Sequence, residues 1–190
     1  MAKLKELGQS AVEEARRREN VLVIVSRLEI GPADRKWIEG IRRDHDPQRA
    51  IIDAHFTHVF PFASSPIAEV ISHAAAIAAS TDVVSFQLSK VAAVRDSTAP
   101  RTLVFLLPTE GELEIRRLHD RLYSGFLAPM LRADIPFVPH VTVAAFDRND
   151  EAERMANDLQ PFNISGKLTA MDLLAFDGTT VTELHRFQFR

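Results

Sequence analysis

The stretch DAHFTHVFPF (residues 53–62) decides how this chain is read. It is apolar and aromatic enough for a buried strand, yet it carries His55, Thr57 and His58. Successive side chains of a strand point to opposite faces, so His55 and Thr57 share one face and His58 takes the other. One imidazole and one hydroxyl are thereby presented together on a single surface.

The arrangement returns in FVPHVTVAAF (137–146), where His140 and Thr142 stand two apart in a second apolar run beside a proline, about 85 residues after the first pair. Histidine exchanges a proton near neutral pH, and a threonine hydroxyl donates a hydrogen bond to an anionic oxygen. Two such pairs facing one cleft suit an in-line displacement at phosphorus. One neutral imidazole takes the proton of the attacking water or hydroxyl, and the other, protonated, gives a proton to the leaving oxygen. The threonines hold the non-bridging oxygens, and no metal or other cofactor is required.

Outward from these runs the chain alternates strand and helix signals. VLVIVSRL (21–28) reads as a buried strand; Gly31 and Pro32 then cap and open a helix with the apolar stripe Trp37, Ile38 and Ile41. Ser65 and Pro66 are expected to cap and open a second helix, with Val70, Ile71 and Ala74 in its stripe. Val84, Phe86 and Leu88 alternate with polar residues as in a half-buried strand, and RTLVFLLP (101–108) is another strand. Thr109 and Glu112 match a capping box for a helix carrying Ile115, Leu118 and Leu122. A short helix from about 149 to 159 follows the second motif. Two strand-like runs near 162–176 and 180–189, turning at DGTT around Gly178, close the chain. The pattern predicts one α+β domain of two lobes over 21–190, preceded by a charged helical arm over 1–20.

A chain of 190 residues with 46% hydrophobic and 26% charged residues has the composition of an ordinary globular protein. Its net charge of −3 gives no global attraction to polyanions, so a nucleic-acid contact needs a local basic groove. Arg27, Lys90, Arg101 and Arg186 lie near strand ends, but no motif marks any of them as a site residue. The absence of cysteine excludes disulfides, thiol nucleophiles and thiolate metal sites. With no apolar segment of signal-peptide or membrane-span length, a cytoplasmic protein is expected. The three-residue spacing of His55 and His58 suits a metal site on a helix, not on a strand, and no acidic cluster completes it. His45, His73, His119 and His185 stand outside any motif, and Phe62 and Phe146 read as core.

HFTHVFPF and HVTVAAF resemble the paired His-x-Thr/Ser-hydrophobic motifs of the two-histidine (2H) phosphoesterase superfamily, which includes bacterial 2′-5′ RNA ligase-like and cyclic phosphodiesterase proteins. Phe60-Pro61, Pro139 and the order of elements from Val21 onward fit as well; His58 departs, standing where the family has a hydrophobic residue. The resemblance implies two pseudo-symmetric lobes, each with an antiparallel sheet flanked by helices, around a central groove. It implies His55 and His140 as the catalytic acid–base pair and Thr57 and Thr142 as phosphate binders, with no metal and no membrane. The expected activity is hydrolysis of a cyclic phosphate or 2′-5′-type phosphodiester, with an RNA end or nucleotide as partner. Ligation in the reverse sense, or a groove that binds such a ligand without turning it over, are the alternatives.

Overall fold

The computed structural model describes residues 21–63 and 66–190; the expected arm over 1–20 and the expected cap Ser65 lie outside the described residues. The strands are β1 (Val21–Arg27), β2 (Glu29–Ile30), β3 (His55–Ala63), β4 (Val84–Arg95), β5 (Thr102–Glu110), β6 (Val141–Phe146), β7 (Ile164–Leu168), β8 (Ala170–Phe176) and β9 (Val181–Gln188). The helices are α1 (Pro32–His45), α2 (Ile67–Ala78), α3 (Glu112–Leu122) and α4 (Asn149–Asp158), with a 3₁₀ turn at Gly125–Met130. Two antiparallel sheets form, one in the order β3-β1-β8-β9 and the other β2-β7-β4-β5-β6. This is the expected α+β architecture of two sheets with flanking helices, and each sheet carries one of the two motifs.

Two of the passages between the sheets take a single residue, Leu28 between β1 and β2 and Thr169 between β7 and β8. The expected single run over 162–176 is therefore two strands, because the chain changes sheet between Leu168 and Ala170. The two-residue β2 pairs with β7 through Glu29 and Lys167, so the crossings lie side by side. Leu28 and Leu168 are fully buried beneath them.

α2 buries Val70, Ala74, Ile77 and Ala78 and packs against β8, β9 and α3. The small alanines let its backbone approach closely. α3 buries Ile115, Leu118 and Leu122 against β3, β4 and β5. α1 packs on β6, and α4 covers β4, β5 and β6. None of the described helices is long and apolar enough to cross a membrane.

Gly31 and Pro32 start α1 as expected, but α2 has Pro66 itself at its cap position. The capping box at Thr109 does not form. The β4–β5 ladder runs on to pair Gln87 with Glu110, so Thr109 stays in the strand, where its hydroxyl meets that of Ser89 at 2.8 Å. Gly111 makes the strand-to-helix corner instead, at φ 79°, where a Cβ would stand 2.4 Å from the Ser85 carbonyl oxygen. Only glycine combines that dihedral with that clearance.

Candidate active site

In β3, His55 stands opposite Arg27 and Thr57 opposite Val25, while Phe56 stands opposite Ser26. Strand alternation therefore puts His55, Thr57 and Arg27 on the open face of the first sheet, with Phe56 and Ser26 on the face that carries the core; His58, skipped by a register shift, joins that face through its bond to Ser26. The second motif is less regular. β6 begins only at Val141, so His140 precedes the strand within which the run 137–146 predicts it. Pro136 and Pro139 have no N–H to give a ladder, which delays the strand. His140 nevertheless lies flat on Phe105, with ring centroids 3.6 Å apart, and Phe105 is the register partner of Thr142. His140 and Thr142 thus share the open face of the second sheet. β3 and β6 touch where the sheets meet, and His140 is close enough for its charge to act on His55. Each pair thus stands on the open face of its own sheet, at the edges of the expected groove where β3 and β6 touch.

Both imidazoles are held in the same way. The Nδ1–H of His55 donates to the Asp53 carbonyl at 2.8 Å, and that of His140 to the Val138 carbonyl at 2.6 Å, in each case two residues back. A carbonyl can only accept, so the neutral ring keeps its proton on Nδ1 and its lone pair on Nε2. Among the described residues, His58 Nδ1 is the one buried side-chain nitrogen or oxygen without a partner. The Nε2 atoms of the pair and the hydroxyls of Thr57 and Thr142 are therefore not sealed in the interior. Burial pushes His55 down to about 4 against the opposing pull of its carbonyl partner, and burial likewise lowers His140. At neutral pH both rings are uncharged proton acceptors.

The walls around them differ. On the first sheet Arg27 bonds Asp172 at 2.8 Å and Glu183 at 2.6 Å, and Arg186 bonds Asp172 at 3.3 Å, so these cations are shared with carboxylates. Arg101 is paired with Asp96. Lys90 is exposed opposite Leu107, on the face of Phe105. Along that face run Leu103, Leu107, Ala92 and Val94, an apolar strip beside a charged one. A cavity of about 270 Å³ beside His55 is bounded by Arg27, Arg49, Ile52, Asp53 and Glu183. Phe62 is core, and half-buried Phe146 meets His45 at 5.4 Å.

His58 faces away from this groove, at 0% exposure. Its Nε2 lies 2.8 Å from the Ser26 hydroxyl, which donates its own hydrogen to the Ala170 carbonyl at 2.7 Å. His58 must therefore donate from Nε2, which leaves Nδ1 as the unpartnered lone pair. Burial, with the charges of His119 and His55, pushes its pKa down to about 3. The unfolded chain then binds more protons than the folded one below about 6.5, so this stability is complete above that pH and is lost as pH falls toward 3. We expect His58→Leu to flatten the fall of Tm between pH 7 and pH 4.5 in circular-dichroism melts. An unchanged slope would place the acid sensitivity elsewhere.

His119 and Tyr123 are linking residues that no motif marks. His119 donates from Nδ1 to the His58 carbonyl at 2.7 Å and lies flat on Phe137, 3.6 Å away at 7°. The Tyr123 hydroxyl accepts the Phe60 N–H at 2.9 Å. α3 thereby ties β3 to the loop ahead of His140. The signal was positional: His119 and Tyr123 occupy helical spacing with buried Ile115.

A family model described as the 2′-5′ RNA ligase superfamily matches residues 30–180. A Geobacillus sp. (strain WCH70) protein named "Putative phosphoesterase" is 32% identical over 125 residues, covering 65% of this chain and 69% of its own. A Bacillus licheniformis protein of similar name is 33% identical over 112 residues, covering 58% and 63%. Among solved structures, a Thermus thermophilus protein has TM-score 0.60 at 14% identity over 90% of this chain and 98% of its own. E. coli LigT complexed with 3′-AMP has TM-score 0.55 at 20% identity with the same coverages. The structures share the fold, and because the family model spans most of its length, the chain belongs to the 2′-5′ RNA ligase superfamily, the 2H phosphoesterases.

Proposed function

We propose that the chain is a metal-independent phosphoesterase that opens a 2′,3′-cyclic phosphate, or cleaves a 2′-5′-type phosphodiester, at an RNA end or in a nucleotide. His55 and His140 are its acid–base pair, and Thr57 and Thr142 are its phosphate donors. The observation that carries this reading is the matched Nδ1-to-carbonyl bond in both motifs, which leaves two Nε2 atoms from different sheets for one substrate. Membership of the superfamily and the phosphoesterase names of the relatives support it, as do the 3′-AMP and ATP complexes solved for E. coli LigT.

In the reaction, a water oxygen forms the new bond to phosphorus and gives its proton to one Nε2. The bond to the 2′ or 3′ oxygen breaks as that oxygen takes a proton from the other, protonated Nε2. The threonine hydroxyls donate to the non-bridging oxygens as charge builds on them. Both rings are neutral without substrate, so the acid acquires its proton as the phosphate anion binds beside it and favours the imidazolium. Hydrolysis then restores the starting sum of protons.

The test is a screen of 2′,3′-cyclic nucleotides, 2′-5′ dinucleotides, ADP-ribose cyclic phosphate and RNA ends, with the His55→Ala/His140→Ala double variant as blank. Turnover by the wild type, lowered about 10²-fold or more in the double variant, is the expected result. Tight binding without product under single-turnover conditions would instead make the groove a binding site.

A further inference from the structure

We infer that Arg42 and Arg116 are matched positioning residues, each fixing the peptide that precedes one histidine of the pair and so aiming its Nε2 into the groove. Arg42 of α1 donates to the Ile52 carbonyl at 2.7 Å, and Arg116 of α3 donates to the Phe137 carbonyl at 2.6 Å. Ile52 stands three residues before His55 and Phe137 three before His140. The next carbonyl along, Asp53 or Val138, is the one that receives the histidine Nδ1–H. The two lobes therefore repeat one device: guanidinium to the carbonyl at minus three, imidazole to the carbonyl at minus two.

Consecutive carbonyls are coupled through planar peptide units. Holding the first in place limits the orientations open to the second, and the second selects which ring nitrogen carries the proton. Each arginine is itself aimed by a carboxylate on its own helix, Glu39 for Arg42 at 3.0 Å and Glu112 for Arg116 at 3.0 Å. In the second lobe the guanidinium also lies over the Phe137 ring, 5.8 Å from its centroid. The planar fork can meet carboxylate and carbonyl at once, which a lysine ammonium does less well.

The inference rests on His55 and His140 being the reacting pair, but its decisive test needs no substrate. Long-range ¹H–¹⁵N spectra of the full chain report which ring nitrogen of each histidine is protonated. We expect the Nδ1–H form for both rings in the wild type and a mixture of tautomers at His140 alone in Arg116→Gln, whose partly exposed side chain can be changed without opening the core. Arg42→Lys, which keeps a cation beside Asp46, should disturb His55 and leave His140 unchanged. Where a substrate is turned over, Arg116→Gln should lower kcat about tenfold or more with little change in KM, as expected for misplacement of a reacting group. Arg116→Lys should recover part of that loss. An unaltered His140 tautomer in Arg116→Gln, or equal disturbance of both histidines by either variant, would overturn the assignment. Normal tautomer shifts in a chain that turns over no substrate would leave the positioning intact and reject the proposed reaction instead.

Discussion

On the proposed reaction, alanine at His55 or at His140 is expected to lower turnover of a 2′,3′-cyclic nucleotide by about 10²–10⁴-fold, the range that one positioned general acid or base supplies. The fold is expected to survive either change. Each ring is half-buried at the groove edge and makes one hydrogen bond, to a carbonyl of its own approach loop. The two losses should not add, because a base without an acid leaves the exit oxygen unprotonated and an acid without a base leaves the water unactivated. The double variant is expected to be about as slow as the slower single one. Initial rates, read together with thermal melts of the same preparations, decide it. Either single variant keeping more than half of wild-type turnover would sink the acid–base assignment.

Arg42→Ala is the change expected to cost most in stability. Arg42 is 1% exposed, and its guanidinium holds Asp46 at 2.8 Å, Glu39 at 3.0 Å and the Ile52 carbonyl at 2.7 Å. Alanine leaves the Asp46 carboxylate, itself nearly buried, without its cation, and strips a donor from a loop carbonyl. Breaking a buried pair in this one-sided way costs about 3–5 kcal/mol. Exposed pairs such as Arg132 with Asp134 contribute little, since water and salt screen them. Urea unfolding of the variant measures the difference. A loss below about 1 kcal/mol would mean that solvent reaches Asp46 and replaces the guanidinium.

The paired His-x-Thr runs were readable because strand alternation depends only on neighbours in the chain. That rule sets His55 and Thr57 on one face, as the register of β3 has them, and His58 on the other, where its bond to Ser26 puts it although a register shift skips it in the ladder. Where the outcome hung on distant partners, local pattern was not enough. Thr109 has the spacing of a capping box, but continued pairing of β4 with β5 claimed it for the strand. His140 lies outside β6, and its face is fixed by stacking on Phe105 of another strand. Arg42 and Arg116 look like ordinary charges on helices; their carbonyl partners lie on loops 10 and 21 residues away. The signal available for Arg42 was its place four residues after Ile38, on the buried stripe of α1, where a charge needs a partner.

The crossing of the backbone at Leu28 and Thr169 bears on how the molecule is made. β3 has one neighbour in its sheet, β1, and the other side of β1 is filled by β8, pairing Val21 with Phe176. Neither sheet is a continuous stretch of chain. During synthesis from the N-terminus the strand bearing His55 appears early, yet the sheet that supports it is complete only after β8 and β9 have emerged. Contacts of such long sequence separation slow folding. The first half of the groove to be synthesised is thus the last to be secured, and loss of the C-terminal strands would disable the N-terminal histidine without touching it.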